Sequence, residues 1–391
     1  MKSIRRLFNI LREGSKNIDF TIIITYIILS LTGLVMIYSA SMVMAMQGNY
    51  SDPKFYYFSQ LKYTIIGFLL VFLMVYFMPL KLLKDKRLQL VMIIGIFLSL
   101  LLTHIFGVEV NGKSRWLEVP LLGRFQPSEF LKIVVILYLA YIYNQKYKKH
   151  PAQRAENLLP LLLVGGISSL VLLNDFGTWL LIISIIAGMF LYSGFPVKII
   201  FKVSGILAVI LSLLLGIRYL VTGNILSGYQ RARIETFMHP FSDADGTSYQ
   251  LTNSLISISH GGFTGAGLGN GIMKLGYLPE PHTDFIFAVI AEELGLIGVI
   301  VILLLFILIV GKAVYYSFKA SERFYSLLCI GIAIYISVQV FLNLGGISGL
   351  IPLTGIPLPF LSQGGSSFLS ISIAVGLLMI AAKEIKRETE A

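Results

Sequence analysis

Residues 277–310 read YLPEPHTDFIFAVIAEELGLIGVIVILLLFILIV, and the change of character at Asp284 decides the class of the chain. Before it lies a polar, Pro-rich loop. From 284 to 310 the run is almost wholly apolar and long enough to cross a hydrocarbon core of about 30 Å, which takes roughly 20 helical residues. An ionisable group at the edge of such a run is costly to bury and marks a functional site by default. Asp284, with His282 beside it, therefore heads the candidate residues. A helix starting near Thr283 would put Asp284 in its first turn, where the positive end of the dipole favours the ionised carboxylate. Glu292 and Glu293 follow about 12 Å deeper at 1.5 Å per residue and read as packing or network groups.

Working outward, the same criterion finds about ten spans, near 18–46, 57–78, 88–106, 127–144, 157–173, 177–194, 199–221, 284–310, 324–343 and 362–382. The 391 residues are 56% hydrophobic and only 13% charged, with a mean hydropathy of +0.82, well outside the composition of soluble domains. The expected fold is an all-α polytopic membrane protein, a single domain over 1–391 with both termini cytoplasmic. The run 18–46 is too long for the apolar core of a cleavable signal peptide, about 7–15 residues, and reads as a first span. Residues 1–17 read as a cytoplasmic juxtamembrane segment. Ile4, Leu7, Phe8 and Leu11 share one helical face there, suited to the anionic inner leaflet.

The net charge of +11 does not form a nucleic-acid patch, because the basic residues are spread among the loops. With the N-terminus inside, about 21 basic residues fall on the cytoplasmic side and about 8 outside, the asymmetry of an even number of spans. The single Cys329 lies within an apolar run, which excludes a disulfide framework and argues against redox chemistry.

Two outside segments have room for chemistry: 107–126, and the large extracellular loop 222–283. GRFQPSEFLK (123–132) has the marks of a helix start, with Pro127 in the first turn. Glu129 and Lys132 are neighbours on one face, either as a packing salt bridge or in a polar cavity. Asp175, in NDFGT (174–178), reads as a helix cap or a catalytic group. Arg231 and Arg233 are guanidinium candidates for phosphate oxygens, with Lys274 beside them as a further cation. GGFTGAGLGNG (261–271) lacks the Lys-Ser/Thr ending of a nucleotide loop, so its glycines are expected to permit close backbone packing. GGISGLIPLTGIPLPF (345–360) cannot form an unbroken helix and must line a cavity or pack on protein.

Taken together, GLVMIYSAS (33–41), QPSEFLK (126–132), DFGT (175–178), LPEPHTDFIFA (278–288), EELG (292–295) and GGSS (364–367, including Ser366) resemble the SEDS family (shape, elongation, division, sporulation) over almost the whole chain. Residues 343–360 and the PEPHTD run are most similar to its division members from Gram-positive bacteria. Leu173-Asn174 and Gln363 stand where the family usually has Gln-Pro and Tyr. The resemblance implies a ten-span peptidoglycan glycosyltransferase that polymerises lipid II outside the cell, at the division septum. It also implies that Asp284 is the family's essential aspartate, Glu129 and Lys132 its intramembrane pair, and Trp116 its outside-loop aromatic. The implied partners are lipid II, the growing lipid-linked glycan, a cognate class B penicillin-binding transpeptidase and other divisome membrane proteins, with no nucleic acid.

In that chemistry a sugar hydroxyl needs a base and a pyrophosphate leaving group needs positive charge. Asp284 is expected to take the proton. Arg231, Arg233 or a divalent cation (Mg or Mn) is expected to face the pyrophosphate. Other readings of the same residues are a lipid II flippase, an elongation-type polymerase, and a scaffold for a synthase.

Overall fold

The computed structural model describes residues 16–47, 52–110, 113–119, 123–149, 158–172, 174–194, 198–223, 228–241 and 248–390. The expected surface helix of 1–17 lies almost wholly outside them. Apolar sequence in a bilayer must satisfy its own backbone, and helices do so within one segment. The described chain follows that rule: α1 (Phe20–Gln47), α2 (Phe55–Phe77), the short α3 (Leu80–Leu83), α4 (Lys86–Phe106), α5 (Pro127–Lys149), α6 (Leu158–Leu172), α7 (Phe176–Tyr192), α8 (Lys198–Thr222), α9 (Gly228–Met238), α10 (Tyr249–Gly261), α11 (Ile286–Lys319), α12 (Arg323–Ile347) and α13 (Gly365–Glu390). Six of these, α1, α2, α4, α11, α12 and α13, are long and apolar enough to cross a membrane, and α6 and α7 are shorter apolar helices. The peripheral helices show Ile65, Val91 and Ile307 to the outside, as a lipid-facing surface should.

The interior is built on α12 and α13, whose buried faces run most of their length. α12 packs on α11, α7 and α5, and α13 lies along α2. One end of the bundle is basic. There Asp19, just before α1, accepts from Lys312 (2.9 Å) and Tyr316 (2.6 Å), and Lys386 of α13 stands 3.9 Å away. Lys84 pairs with Glu322 in the same region. The start of α1 and the end of α13 thus share the end where Lys and Arg collect, which the positive-inside asymmetry assigns to the cytoplasm.

Three features depart from the expectations. The 107–126 segment is not plain loop but an antiparallel meander, β1 (Val108–Val110), β2 (Lys113–Val119) and β3 (Gly123–Phe125), with Val108 opposite Trp116 and Leu117 opposite Phe125. The 222–283 segment carries α9, α10 and a 3-10 turn at Met273–Leu275. Finally, α11 starts at Ile286 rather than near Thr283 and is broken at Gly295, whose φ of 64° and ψ of −168° suit glycine alone.

The break has a cause outside the helix. Gly265 backs directly onto Gly295, so a Cβ built on Gly295 would sit 2.2 Å from the Gly265 nitrogen. The freed carbonyls of Glu292 and Glu293 accept from Ala266 N (2.9 Å) and Gly267 N (3.0 Å). Leu296 N and Ile297 N donate in turn to the carbonyls of Gly262 (2.9 Å) and Phe263 (3.2 Å). The glycine-rich loop therefore clasps the helix backbone, the close packing its composition predicts, and buried backbone groups keep partners across the break.

The other irregular stretch behaves as its sequence requires. α12 ends at Ile347, and 348–364 is non-helical. Ile356, Leu358, Phe360 and Leu361 are buried, so this segment packs against protein. Ser362 Oγ donates to the Thr283 carbonyl (2.6 Å), and Gln363 N donates to that of His282 (2.9 Å). The two irregular stretches are thereby laid side by side.

Candidate functional site

Asp284 sits where these stretches meet, in the turn two residues before α11, with Phe285 at the N-cap. Its backbone is held by Asn343, whose Nδ2 donates to the Asp284 carbonyl (2.9 Å) and to that of Ile356 (2.8 Å). Gly355 lies between its carboxylate and a cation. With φ of 70° and no side chain, Gly355 leaves a point 3.4 Å from Asp284 Oδ2 and 3.3 Å from Arg233 Nη2. Arg233 reaches this place from α9 and also donates to the Leu353 carbonyl.

The charge around Asp284 differs from the dipole-stabilised carboxylate expected. Burial comes first and Glu280 second in pushing its pKa up to about 6, while Arg233 and Arg115 pull it down and Asp175 pushes it up. A carboxyl outside the helix's first turn loses most of the dipole's help, and desolvation dominates.

Arg115 is a residue near this site that sequence reasoning does not single out among the outside basic residues. On β2 it alternates with Trp116, so the two point to opposite faces. Arg115 Nη1 is 2.8 Å from Asp175 Oδ2, and its Nε donates to the Asn174 carbonyl (3.0 Å). Asp175 also caps α7, accepting from Thr178 N (3.1 Å) and Thr178 Oγ1 (2.9 Å). The cap reading of Asp175 matches this geometry, and its negative charge also pushes the Asp284 pKa up. A narrow cavity of about 20 Å³ opens beside this pair, lined by Leu100, His104, Arg115, Ser128 and Asp175 among others.

His282 packs against Tyr56 with ring centroids 4.4 Å apart and the planes tilted by 40°. Its buried Nδ1 has no hydrogen-bond partner. Burial lowers its pKa to about 4, so the ring is neutral at neutral pH. Trp116 is half-buried on the meander. Ser366, in the first turn of α13, accepts from Gln126 N (3.0 Å) and donates to the Arg124 carbonyl (3.3 Å), joining β3 to α13. The side chain of Arg231 lies outside the described residues.

Three candidates, Glu129, Lys132 and Lys274, are shut away from any surface. Glu129 and Lys132 pair at 2.7 Å, buried at the start of α5. Lys132 also reaches Gln339 Oε1 (3.2 Å) and stands 4.7 Å from the Tyr335 ring centre. Gln339 Nε2 continues to the Pro357 carbonyl (2.8 Å), so the pair supports the segment beneath Asp284. Lys274, expected as a phosphate cation, is instead a buried structural ion. Its ammonium is taken by Glu293 (2.5 Å), Ser39 Oγ (2.7 Å) and the Gly269 carbonyl (2.8 Å). Glu292 is likewise saturated, accepting from Ser257, His260, Ile272 N and Met273 N. The network reading of Glu292 and Glu293 matches this geometry.

Among the described residues no three His, Cys, Asp or Glu side chains come together as a metal cradle. A divalent cation here would need substrate oxygens to complete its shell, the usual habit of Mg²⁺ with phosphates.

The comparisons cover almost the whole of this bundle. The family model described as cell cycle protein, covering FtsW, RodA and SpoVE, matches residues 19–387. The chain belongs to that family. Among its relatives, the probable peptidoglycan glycosyltransferase FtsW of Bacillus subtilis (strain 168) is 39% identical over 371 residues, 94% of this chain and 91% of that protein. The protein of the same name from Enterococcus hirae is 37% identical over 96% of this chain and 95% of its own. Among solved structures, one described as structural coordination of polymerization and crosslinking by a peptidoglycan synthase complex superposes with a TM-score of 0.72 at 26% identity, covering 95% of this chain and 99% of that one. The crystal structure of Thermus thermophilus RodA shares the fold, with a TM-score of 0.65 at 24% identity over 95% of this chain and 98% of its own. The apolar helices and the family together make this chain a multi-pass membrane protein.

Proposed function

We propose that this chain is a peptidoglycan glycosyltransferase that polymerises lipid II during cell division, with Asp284 as its general base. Relatives of 33–39% identity over nearly the full length carry that activity in their names, which supports the reaction class. The observation that carries the residue assignment is the placement of Asp284. It lies partly exposed at the end of the bundle away from the basic end, beside Arg233 and within the field of Arg115.

The 4-hydroxyl of N-acetylglucosamine on one lipid II attacks the anomeric carbon of N-acetylmuramic acid on the lipid-linked glycan. A C–O bond forms, the bond to undecaprenyl pyrophosphate breaks, and the centre inverts to a β-1,4 linkage. Asp284 accepts the hydroxyl proton. A carboxyl with a pKa of about 6 is largely ionised at pH 7 yet basic enough to matter, which is the compromise that general-base catalysis favours. Arg233 and Arg115 face the charge that develops on the departing pyrophosphate. The polyprenyl tails stay between the apolar helices.

The partner we infer is a class B penicillin-binding transpeptidase, together with other divisome membrane proteins at the septum. A flippase would need a polar path through the bundle. The one charged pair within α5 is closed over by Gln339 and Tyr335, which favours polymerisation. The deciding assay incubates purified protein with lipid II in detergent, with and without the transpeptidase. Glycan strands are the expected product, and their absence in both arms refutes the activity.

A further inference from the structure

The loop 262–277 has an inner and an outer side of opposite character. Inside, it is pinned by two buried carboxylates: Glu292 takes the amides of Ile272 (2.8 Å) and Met273 (3.3 Å), and Glu293 takes that of Gly269 (3.0 Å). Its one charged residue, Lys274, is consumed internally by Glu293 and Ser39. Outside, it shows Phe263 (76% exposed), Leu268 (56%), Ile272 (46%) and Leu275 (48%), with Tyr277 at its end. A charge-free run of large apolar side chains held outward on a braced backbone needs a cover.

The backbone sets the level of that cover. Leu296 and Ile297 bond the carbonyls of Gly262 and Phe263, so Phe263 lies beside the first turn of α11 past its break. From Leu296 the helix shows Ile297, Ile300, Val301, Leu304, Ile307 and Leu308 outward, a lipid-facing stripe. Twenty residues from there span about 30 Å, one hydrocarbon core, and bring the chain to the neighbourhood of Lys312 and Lys319, among the cations of the basic end. Leu296 and Ile297 therefore mark the opposite edge of the core. The loop's apolar side chains continue that stripe at the depth where tyrosine and amphipathic elements settle.

We infer that residues 262–277 are seated in the interfacial layer of the bilayer on the Asp284 side, with Phe263, Leu268, Ile272 and Leu275 against lipid. What reads as an extracellular loop is in part a monotopic membrane anchor, and the bilayer then fixes the height of the segment leading to Asp284. The inference stands independently of the reaction.

The test uses the full chain in phosphatidylcholine–phosphatidylglycerol vesicles, with an environment-sensitive fluorophore on Leu268→Cys or Ile272→Cys. Glu118→Cys on the exposed face of β2 serves as the aqueous reference, and unsubstituted protein controls for the buried Cys329. Labels at 268 and 272 should lose at least half their emission to lipids doxyl-labelled near acyl carbon 5, with iodide quenching several-fold weaker than at 118. Iodide quenching equal to that at 118 overturns the inference. So does protection from both quenchers, which would mean that a second copy of the chain covers the loop.

Discussion

Replacing Arg233 with Gln should move the acid limb of the pH–rate profile upward. In the wild type that limb is expected near pH 6, the value to which burial and Glu280 raise Asp284 against the pull of Arg233 and Arg115. The Asp284 and Arg233 groups lie within 3.4 Å of one point beside Gly355, so they are no more than about 7 Å apart. At an effective dielectric of about 20, Coulomb's law gives about 2 kcal/mol at that distance, somewhat under two pKa units. Solvent at a partly exposed site trims this to about one unit. The midpoint should therefore rise to about 7, measured as initial rates of lipid II polymerisation between pH 5 and 9. Arg233→Lys keeps the charge and should leave the midpoint near 6, while lowering the plateau because the planar fork is lost. Glu280→Gln should shift the midpoint the other way. An unchanged midpoint in Arg233→Gln, or a downward shift, refutes the electrostatic coupling.

Other outcomes follow from the same geometry. His282 is held neutral with its pKa depressed from 6.5 to about 4, so the unfolded chain binds the extra proton between those values. The stability it contributes is full above pH 6.5 and is lost as pH falls toward 4, by up to about 3 kcal/mol. His282→Phe keeps the contact with Tyr56 and should flatten the fall in melting temperature over that window. Lys274→Met leaves Glu293 buried without its cation and should cost about 3–5 kcal/mol, seen as a lower melting temperature in detergent without any lipid II present; an effect seen only on lipid II affinity would restore a substrate role. Gly295→Ala forces a Cβ onto the Gly265 backbone at positive φ and should destabilise by about 2 kcal/mol or more, read by the same thermal melt.

The parts of this fold that can be read in sequence are those decided locally. Apolar length announces the helices, and Gly and Pro between 345 and 360 forbid a continuous span. The break at Gly295 is not local, because Gly-Leu at 295–296 reads as helix until the glycine loop of 261–267 is laid against it. Lys274 looks like a free outside cation because its partners, Ser39 on α1 and Glu293 on α11, are far away in the chain. Arg115 does not stand out in the sequence for a related reason: its meaning comes from the meander that turns it toward Asp175. Asp284 stands out in the sequence as the leading candidate, but the direction of its pKa shift does not. A helix start three residues later than expected removes the dipole, and tertiary burial supplies the opposite sign.

The central claim is that Asp284 removes the sugar proton, and Asp284→Asn tests it most directly. The substitution keeps the side-chain shape and leaves the Asn343 bond to the backbone carbonyl in place, so the purified variant should retain its melting temperature and bind lipid II. Glycan synthesis at pH 7 should fall by about 10²–10⁴-fold, the usual worth of a general base. A folded variant that polymerises lipid II within a few-fold of the wild type contradicts the account.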